Sequence, residues 1–408
     1  MNDTSKSGFA QLAQEQSLYP QEAPAKIINK PNSMQIGVPR EVADQEKRVP
    51  LKPASVGVLV ANGHEVVIES KAGVPSNFSD QEYSEAGAKI AYSTKEVLAC
   101  DTIIKVEPPT LTEIEMMKPG STLLSAFQAG KQQASYLEAV NKKKLIAIGY
   151  EFIQDNEGGL PLIRAMGEIA GSNVMIIAAE YLSSSNNGRG IIVGGITGVP
   201  PTKVMILGAG TVAEFAARAA LGHGAEVRVF DDNIYKMRRL KHTIGQEIYT
   251  STFDSSLLEK EVREADVIVG AVRMEKGRNK IIVTEDMVME MKPGSVIIDV
   301  SIDQGGCIET SEMTSHEDPV FTKHEVTHYC VPNIASRVAR TASLAISNIF
   351  TPILLEAGDF GGFDEMIYRK QWLQKGVYSY NGTLTNLDLA KRFNLGYKDL
   401  SLFMAARI

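Results

Sequence analysis

The sequence predicts an α/β fold of two doubly wound, Rossmann-like domains, with mostly parallel sheets and a cleft between them. Three observations carry this expectation. From Met34 onward short β-rich runs alternate with longer helical patterns, which is the signature of parallel βαβ units. The buried-strand pattern Lys203 to Leu207 runs into the glycine turn Gly208-Ala209-Gly210, after which a helix begins. A length of 408 residues, 44% hydrophobic and 22% charged, favours two domains of ordinary size, and a cleft between them is the natural place for chemistry.

Residues 1–33 mix Gln, Glu, Ser, Lys and Pro without an apolar core or a small-residue cleavage site, so they read as an N-terminal extension ahead of the fold. The strands expected in the first half are Gln35 to Val38, Glu65 to Glu69, Thr102 to Val106, Thr122 to Ala126 and Leu145 to Tyr150. Those of the second half are Lys203 to Leu207, Glu226 to Phe230, Asp266 to Ala271 and Ser295 to Val300. Between the two sets a long helix is expected over Ala165 to Leu182, followed by a Ser-, Asn- and Gly-rich loop from Ser183 to Pro201. The helices from Ser336 onward have no strand partner of their own and return to the first domain. The division is therefore 34–165 with 337–408 as substrate domain, and 166–336 as the dinucleotide-binding Rossmann domain.

An internal echo supports a shared plan. Met117-Lys118-Pro119-Gly120-Ser121 and Met291-Lys292-Pro293-Gly294-Ser295 each end a helix, turn the chain and start an apolar strand.

Composition narrows the function. A net charge of -7 argues against a nucleic-acid partner, which needs a clustered basic surface. The longest apolar stretches, Ser295 to Ile302 and Asn173 to Ala179, fall short of the roughly 20 residues that span a bilayer, so no membrane association is expected. Cys100, Cys307 and Cys330 are odd in number and lack CxxC spacing, which fits a reducing compartment and makes cytoplasm the expected location. His324 and His328 have metal-like spacing, but the residues around them look like strand, and no metal site is expected there.

In Gly208-Ala209-Gly210-Thr211-Val212-Ala213 the first glycine makes the tight turn, the second admits a pyrophosphate to backbone N–H groups, and the small third residue lets helix and strand pack. Asp231, closing the next strand, is placed to accept the ribose hydroxyls and to repel a 2′-phosphate, which favours NAD over NADP. Asp231 is otherwise a helix N-cap, a role that Asp232 suits better. Strand-end placement also singles out Ala271 and Val272, and Asp303 next to Ile302, the last either a group beside a nicotinamide or a turn residue at Gly305-Gly306. In the first domain it picks out Lys105, Gln128 and Tyr150-Glu151, while Arg48 lies in a polar loop after the first strand. Arg48 and Lys105 are suited to clamping a small carboxylate, although on pattern alone such residues are more often surface cations.

From Met34 onward the chain resembles the alanine dehydrogenase family, which is related to the α-subunit of NAD(P) transhydrogenase. The motifs are Ile36 to Glu41 with Arg48-Val49, Ile104-Lys105-Val106, Leu160 to Leu162 with Met166 to Gly171, Gly194 to Pro201, Gly208 to Thr211, Asp299 to Cys307, and Tyr329-Cys330-Val331 with Asn333. The resemblance implies two domains around a cleft, NAD as cofactor, a hexamer, and interconversion of L-alanine with pyruvate and ammonia. It implies that Arg48 and Lys105 hold the substrate, that Asp303 takes part in catalysis beside the nicotinamide, and that Asn333 belongs to the cofactor site. The family's active-site His falls on Gln128, which hydrogen-bonds but does not titrate. Three readings follow: an alanine dehydrogenase whose proton traffic runs through Asp303 or Lys105, a dehydrogenase for another amino or keto acid, and a transhydrogenase-like module or NAD-binding regulator that does not turn over alanine.

Overall fold

The computed structural model describes residues 33–43, 45–155, 157–273 and 280–406. The expected extension over 1–33 thus lies outside the described residues, apart from Ser33. Among those residues the strands form two sheets. The first has the order β15-β14-β6-β5-β4-β1-β2-β3, where β1 is Gln35–Val38, β2 Glu65–Glu69, β3 Lys89–Ala91, β4 Thr102–Ile104, β5 Thr122–Ser125, β6 Ile146–Gly149, β14 Val377–Tyr380 and β15 Thr383–Leu384. The second has the order β12-β13-β11-β10-β7-β8-β9, where β7 is Lys203–Leu207, β8 Glu226–Phe230, β9 Tyr249–Ser251, β10 Val267–Gly270, β11 Val296–Asp299, β12 Val320–Lys323 and β13 Val326–Tyr329. Both are two doubly wound halves with a switch point, between β1 and β4 in one and between β7 and β10 in the other.

Period-two alternation builds each sheet. Val66 and Ile68 enter one core and Val67 the other, as Ile104 and Ile103 do; in the second sheet Val204 and Ile206 face away from Met205 and Leu207. Continuous apolar strands follow from burial on both faces.

The internal echo is structural. Gly120 and Gly294 take φ of 77° and 75°, in each half just before a strand. Lys118 pairs with Asp101 at 2.5 Å and Lys292 with Asp266 at 2.8 Å, each aspartate being the residue before the switch-point strand β4 or β10. The same five-residue turn therefore ties the same two strands together twice.

Two corrections concern the helical segments. The segment after Ser336 is not helical throughout, because Val377–Leu384 forms a hairpin whose first strand pairs antiparallel with β6. Its turn is Asn381-Gly382, with φ of 49° and 85°, and this dipeptide between apolar runs was the overlooked signal. The other concerns length: helices Pro161–Leu182 and Ile334–Asp359 are long and apolar enough to cross a membrane by length and composition. Both are core helices of this fold. Pro161–Leu182 crosses the helix Thr211–Gly222 so closely that a Cβ on Gly171 would lie 2.4 Å from Val212 O. The second, through Ile346, Phe350 and Leu354, fills the first domain's core.

Candidate active site

The glycine turn sits at the switch point of the second sheet. Gly208 adopts φ of 105°, and a Cβ there would meet Ala271 O at 2.6 Å, so only glycine lets β7 leave beside the end of β10. At Gly210 a Cβ would meet no protein atom within 4 Å, which leaves the space in front of the helix open. Gly210 is the N-cap of Thr211–Gly222 and supplies no side-chain bond, so the first-turn N–H groups of Thr211 and Val212 are free to receive an anion. Ala213 is buried at the helix–strand contact.

Asp231 closes this arrangement. Its Oδ2 accepts the Ala209 N–H at 2.7 Å and its Oδ1 the Asn233 N–H at 2.7 Å. The following helix is capped by Asn233, which accepts from Lys236 N–H at 3.0 Å, so neither Asp231 nor Asp232 is the N-cap. An open anion-binding turn with a carboxylate one strand away fits a dinucleotide.

Past β11 the chain makes a short 3-10 turn over Ile302–Gln304. The carboxylate that organises the Gly305-Gly306 turn is Asp299, accepting N–H groups of Ser301 and Cys307 at 3.0 Å each. Asp303 opens to solvent at the cleft, where surrounding protein raises its pKa against the pull of Arg273 and Lys131. Arg273 directly follows Ala271 and Val272 at the end of β10.

The first domain contributes a charged cluster around Arg48, which is only 6% exposed. Glu46 holds its guanidinium with a two-pronged pair, Nε at 2.8 Å and Nη2 at 2.6 Å, and Glu107 lies 3.4 Å from Nη2. Met166 Sδ, from the long helix, is 3.4 Å from Nη1. Burial pushes Glu46 up, but the Arg48 charge and hydrogen bonds bring it below the ordinary carboxylate value. Glu107 goes the other way: burial and the neighbouring Glu46 push it up to about 7, against Arg48 and Lys131. Two carboxylates on one guanidinium share its attraction unequally.

Gln128, at the turn after β5, donates its side-chain amide to Glu107 Oε2. Its own backbone takes φ of 51° and donates N–H to Glu151 Oε1 at 2.8 Å. Asn333 reaches across from the second sheet, donating Nδ2 to Glu46 Oε2 at 2.9 Å. Arg48, Gln128 and Asn333 are therefore brought together, with Lys131 acting on both Glu107 and Asp303 across the cleft.

Lys105, expected to hold substrate, lies beside this cluster with two carboxylates of its own. Its ammonium is fully buried between Glu113 at 2.9 Å and Glu41 at 3.2 Å. Burial lowers its pKa, and the two glutamates more than reverse that, so the charge stays on the lysine. A ligand would have to break two buried ion pairs to reach it. Glu107, two residues on, is the residue of this strand end that faces Arg48, and sequence reasoning passed over it because Lys105 offered the more familiar cation. His324 and His328 also separate: His324 is in the β12–β13 turn against Glu285, and His328 is buried in β13 against Thr310 at 2.7 Å.

Comparison with known proteins places this geometry. Residues 37–170 match the model of the alanine dehydrogenase/PNT N-terminal domain, and residues 174–387 that of the C-terminal domain.

The chain belongs to the alanine dehydrogenase/PNT family.

Within the family, alanine dehydrogenase 2 of Staphylococcus aureus (strain USA300) is 38% identical over 368 residues, covering 90% of this chain and 98% of its own. A solved L-alanine dehydrogenase superposes with a TM-score of 0.84 at 36% identity, over 88% of this chain and 99% of the other. The transhydrogenase from Sinorhizobium meliloti shares the fold, with a TM-score of 0.75 at 22% identity, over 87% and 99%.

Proposed function

We propose that this chain is an NAD-dependent amino-acid dehydrogenase of the alanine dehydrogenase type, interconverting L-alanine with pyruvate and ammonia. The observation that carries the reading is the end-to-end likeness to alanine dehydrogenase 2 at 38% identity. Its layout adds support, since the buried Arg48 belongs to one sheet's end and the open glycine turn to the other's, with Asn333 of the second bonded to Glu46 of the first.

In this reading the backbone of Gly208 to Val212 receives the pyrophosphate and Asp231 the ribose, while Ala271, Val272, Ile302, Asp303 and Asn333 line the nicotinamide end. The cofactor supplies a hydride acceptor for the substrate's Cα. Arg48 is the cation for the substrate carboxylate through Nη1, whose present contact is Met166 Sδ, while Glu46 holds the Nε and Nη2 edge and fixes the plane of the guanidinium. Asp303 orients the nicotinamide side. Lys105 serves to hold Glu41 and Glu113 behind the site rather than to touch substrate.

The domain division, 34–165 with 337–408 for substrate and 166–336 for cofactor, belongs to the same proposal. So do a homohexamer, a cytoplasmic location, and the absence of nucleic-acid or membrane partners. The second reading, a dehydrogenase for another 2-oxo acid, is favoured by one observation: a carboxylate, Glu107, and a neutral amide, Gln128, stand beside Arg48. A panel of 2-oxo acids with NADH and ammonia, run on wild type and Gln128→His, separates the two. Pyruvate as the preferred substrate of wild type supports the first. Pyruvate activity gained only in the variant supports the second, and NADH binding with no turnover over a broad pH range rejects both.

A further inference from the structure

A reaction that adds and removes ammonia needs a group that takes and returns protons at the substrate, and Gln128 has no proton to exchange at ordinary pH. The carboxylates around the cleft can be sorted by what holds them. Glu41 accepts Val106 N–H at 2.6 Å and pairs with Lys105; Glu113 pairs with Lys105 and accepts Thr110 N–H at 2.7 Å. Glu151 accepts the N–H groups of Phe127 and Gln128 at 2.8 Å each, and Asp299 ties the Gly305-Gly306 turn. Glu46 is held by Arg48 and Asn333 and shares a side-chain hydrogen bond with Glu107. Each of these is fixed by its structural partners, and Asp303 stands exposed on the second domain's side, where it is assigned to the nicotinamide.

Glu107 differs. It is held by side chains of the cleft itself, Arg48 on Oε1 and the Gln128 amide on Oε2. Its side chain keeps 11% of its surface, against 1% for Glu46 and 5% for Glu41 and Glu113. It stands on the guanidinium that would receive a substrate carboxylate, so the Cα and nitrogen of an α-amino acid bound there fall beside it.

We propose that Glu107 is the residue that transfers protons to and from the substrate at this site, with Gln128 and Arg48 holding its two carboxylate oxygens. The inference rests on the dehydrogenase reading above. In the oxidative direction the Glu107 carboxylate takes one proton from the substrate ammonium and frees the nitrogen lone pair. Hydride leaves Cα for the oxidised nicotinamide, giving the iminium, and Glu107 releases its proton to solvent. Water then adds to Cα while Glu107 takes a proton from it, and Glu107 returns that proton to the nitrogen. The C–N bond breaks as the hydroxyl proton passes to solvent, and the ammonia that leaves takes up one of the two protons released. The sum is alanine, water and oxidised cofactor giving pyruvate, ammonium, reduced cofactor and one proton.

The groups facing Glu107 set its behaviour. Glu46 from the 45–49 loop raises it, whereas Arg48 from that loop and Lys131 beyond β5 lower it. Tyr150, after β6, donates its hydroxyl to Val106 O at 2.6 Å, and Glu41 lies 3.4 Å from the Glu107 N–H. With these neighbours the carboxyl titrates about 7, between the two protonation states that the cycle requires.

The test is the pH profile of pyruvate- and ammonia-dependent NADH oxidation from pH 5 to 10 for wild type, Glu107→Gln and Glu107→Asp. Wild type is expected to show a limb near neutrality in kcat/KM for pyruvate. Glu107→Gln should lose that limb with a fall of about 100-fold or more in kcat, while its Kd for NADH by fluorescence stays within about 3-fold. Glu107→Asp should keep a titrating limb at an intermediate rate, and it carries the test if the glutamine variant does not fold. Infrared titration of the protein alone should show a carboxyl band near neutrality in wild type that is missing from Glu107→Gln. An active Glu107→Gln within about 5-fold of wild type, or one slowed equally at every pH with its limb intact, overturns this proposal alone. A wild type inactive on pyruvate and every other 2-oxo acid overturns the dehydrogenase reading, and this proposal with it.

Discussion

Asn333, in a left-handed backbone conformation at φ 62°, donates its amide to Glu46 Oε2 at 2.9 Å, and that same carboxylate holds the buried Arg48. One residue that follows the second sheet thus helps set the buried arginine of the first domain. Ser336 joins the same clasp by donating to Gln45 O at 3.1 Å and accepting from Lys47 N–H at 3.1 Å.

Glu46→Gln should therefore destabilise strongly, by about 3 kcal/mol, because a buried guanidinium loses its main counter-charge. Asn333→Ala removes one hydrogen bond to a charged group and should cost about 1.5 kcal/mol. Thermal melting of the two variants should rank them in that order, and equal melting temperatures would contradict the clasp.

Lys105→Met tests the placement of that lysine. Two buried carboxylates, Glu41 and Glu113, lose their cation, and the expected destabilisation is about 3–5 kcal/mol. Adding Glu113→Gln should recover part of the loss, since one unpaired charge goes with it. A Lys105→Met protein that melts like wild type but binds pyruvate tenfold more weakly would return Lys105 to the substrate site.

The two turn glycines should respond differently to alanine. Gly208→Ala forces a Cβ against Ala271 O and strains φ of 105°, so it should lower both melting temperature and NADH affinity. Gly210→Ala has room on the protein side and should melt within a degree or two of wild type, yet bind NADH at least about tenfold more weakly, because the added methyl enters the pyrophosphate space. Fluorescence titration with NADH checks both.

Glu107 also gives stability a pH signature. Its folded pKa of about 7 lies above the ordinary 4.5, so the folded state holds a proton that the unfolded chain has lost. That contribution is fully present below about pH 4.5 and is lost as pH rises through 7. His328, lowered by burial to about 4, runs oppositely: its contribution is present above pH 6.5 and is lost as pH falls toward 4. Glu107→Gln removes only the first trend. The difference in melting temperature between variant and wild type should grow from pH 4.5 to 7 and then level off, and a flat difference would show that Glu107 is ionised throughout.

Much of this fold was legible because alternation and glycine chemistry are local. The strands Lys203 to Leu207 and Glu226 to Phe230 could be bounded to the residue, since Gly208 and Asp231 mark where each must stop. β3 and β9, of three residues each, carry too little periodicity to stand out. The site was harder. Gln128 was visible by its place at a strand end and Arg48 in the loop after the first strand, but which member of Lys105-Val106-Glu107 stands beside Arg48 depends on where β4 ends and on partners distant in sequence. Glu113 claims Lys105 from eight residues away, and Glu46 with Arg48 claims Glu107 from about sixty.

The hairpin at Val377–Leu384 and the helix Ala339–Asp359 complete a sheet and a core begun more than three hundred residues earlier. The second sheet, by contrast, is complete with β13, and its core with Ile334. On a translating ribosome the second half can therefore become compact while the first waits with an open sheet edge at β6 and an uncovered apolar face. In the order of birth, the domain made first finishes last, and a chain cut short before Val377 would leave that edge exposed to aggregation.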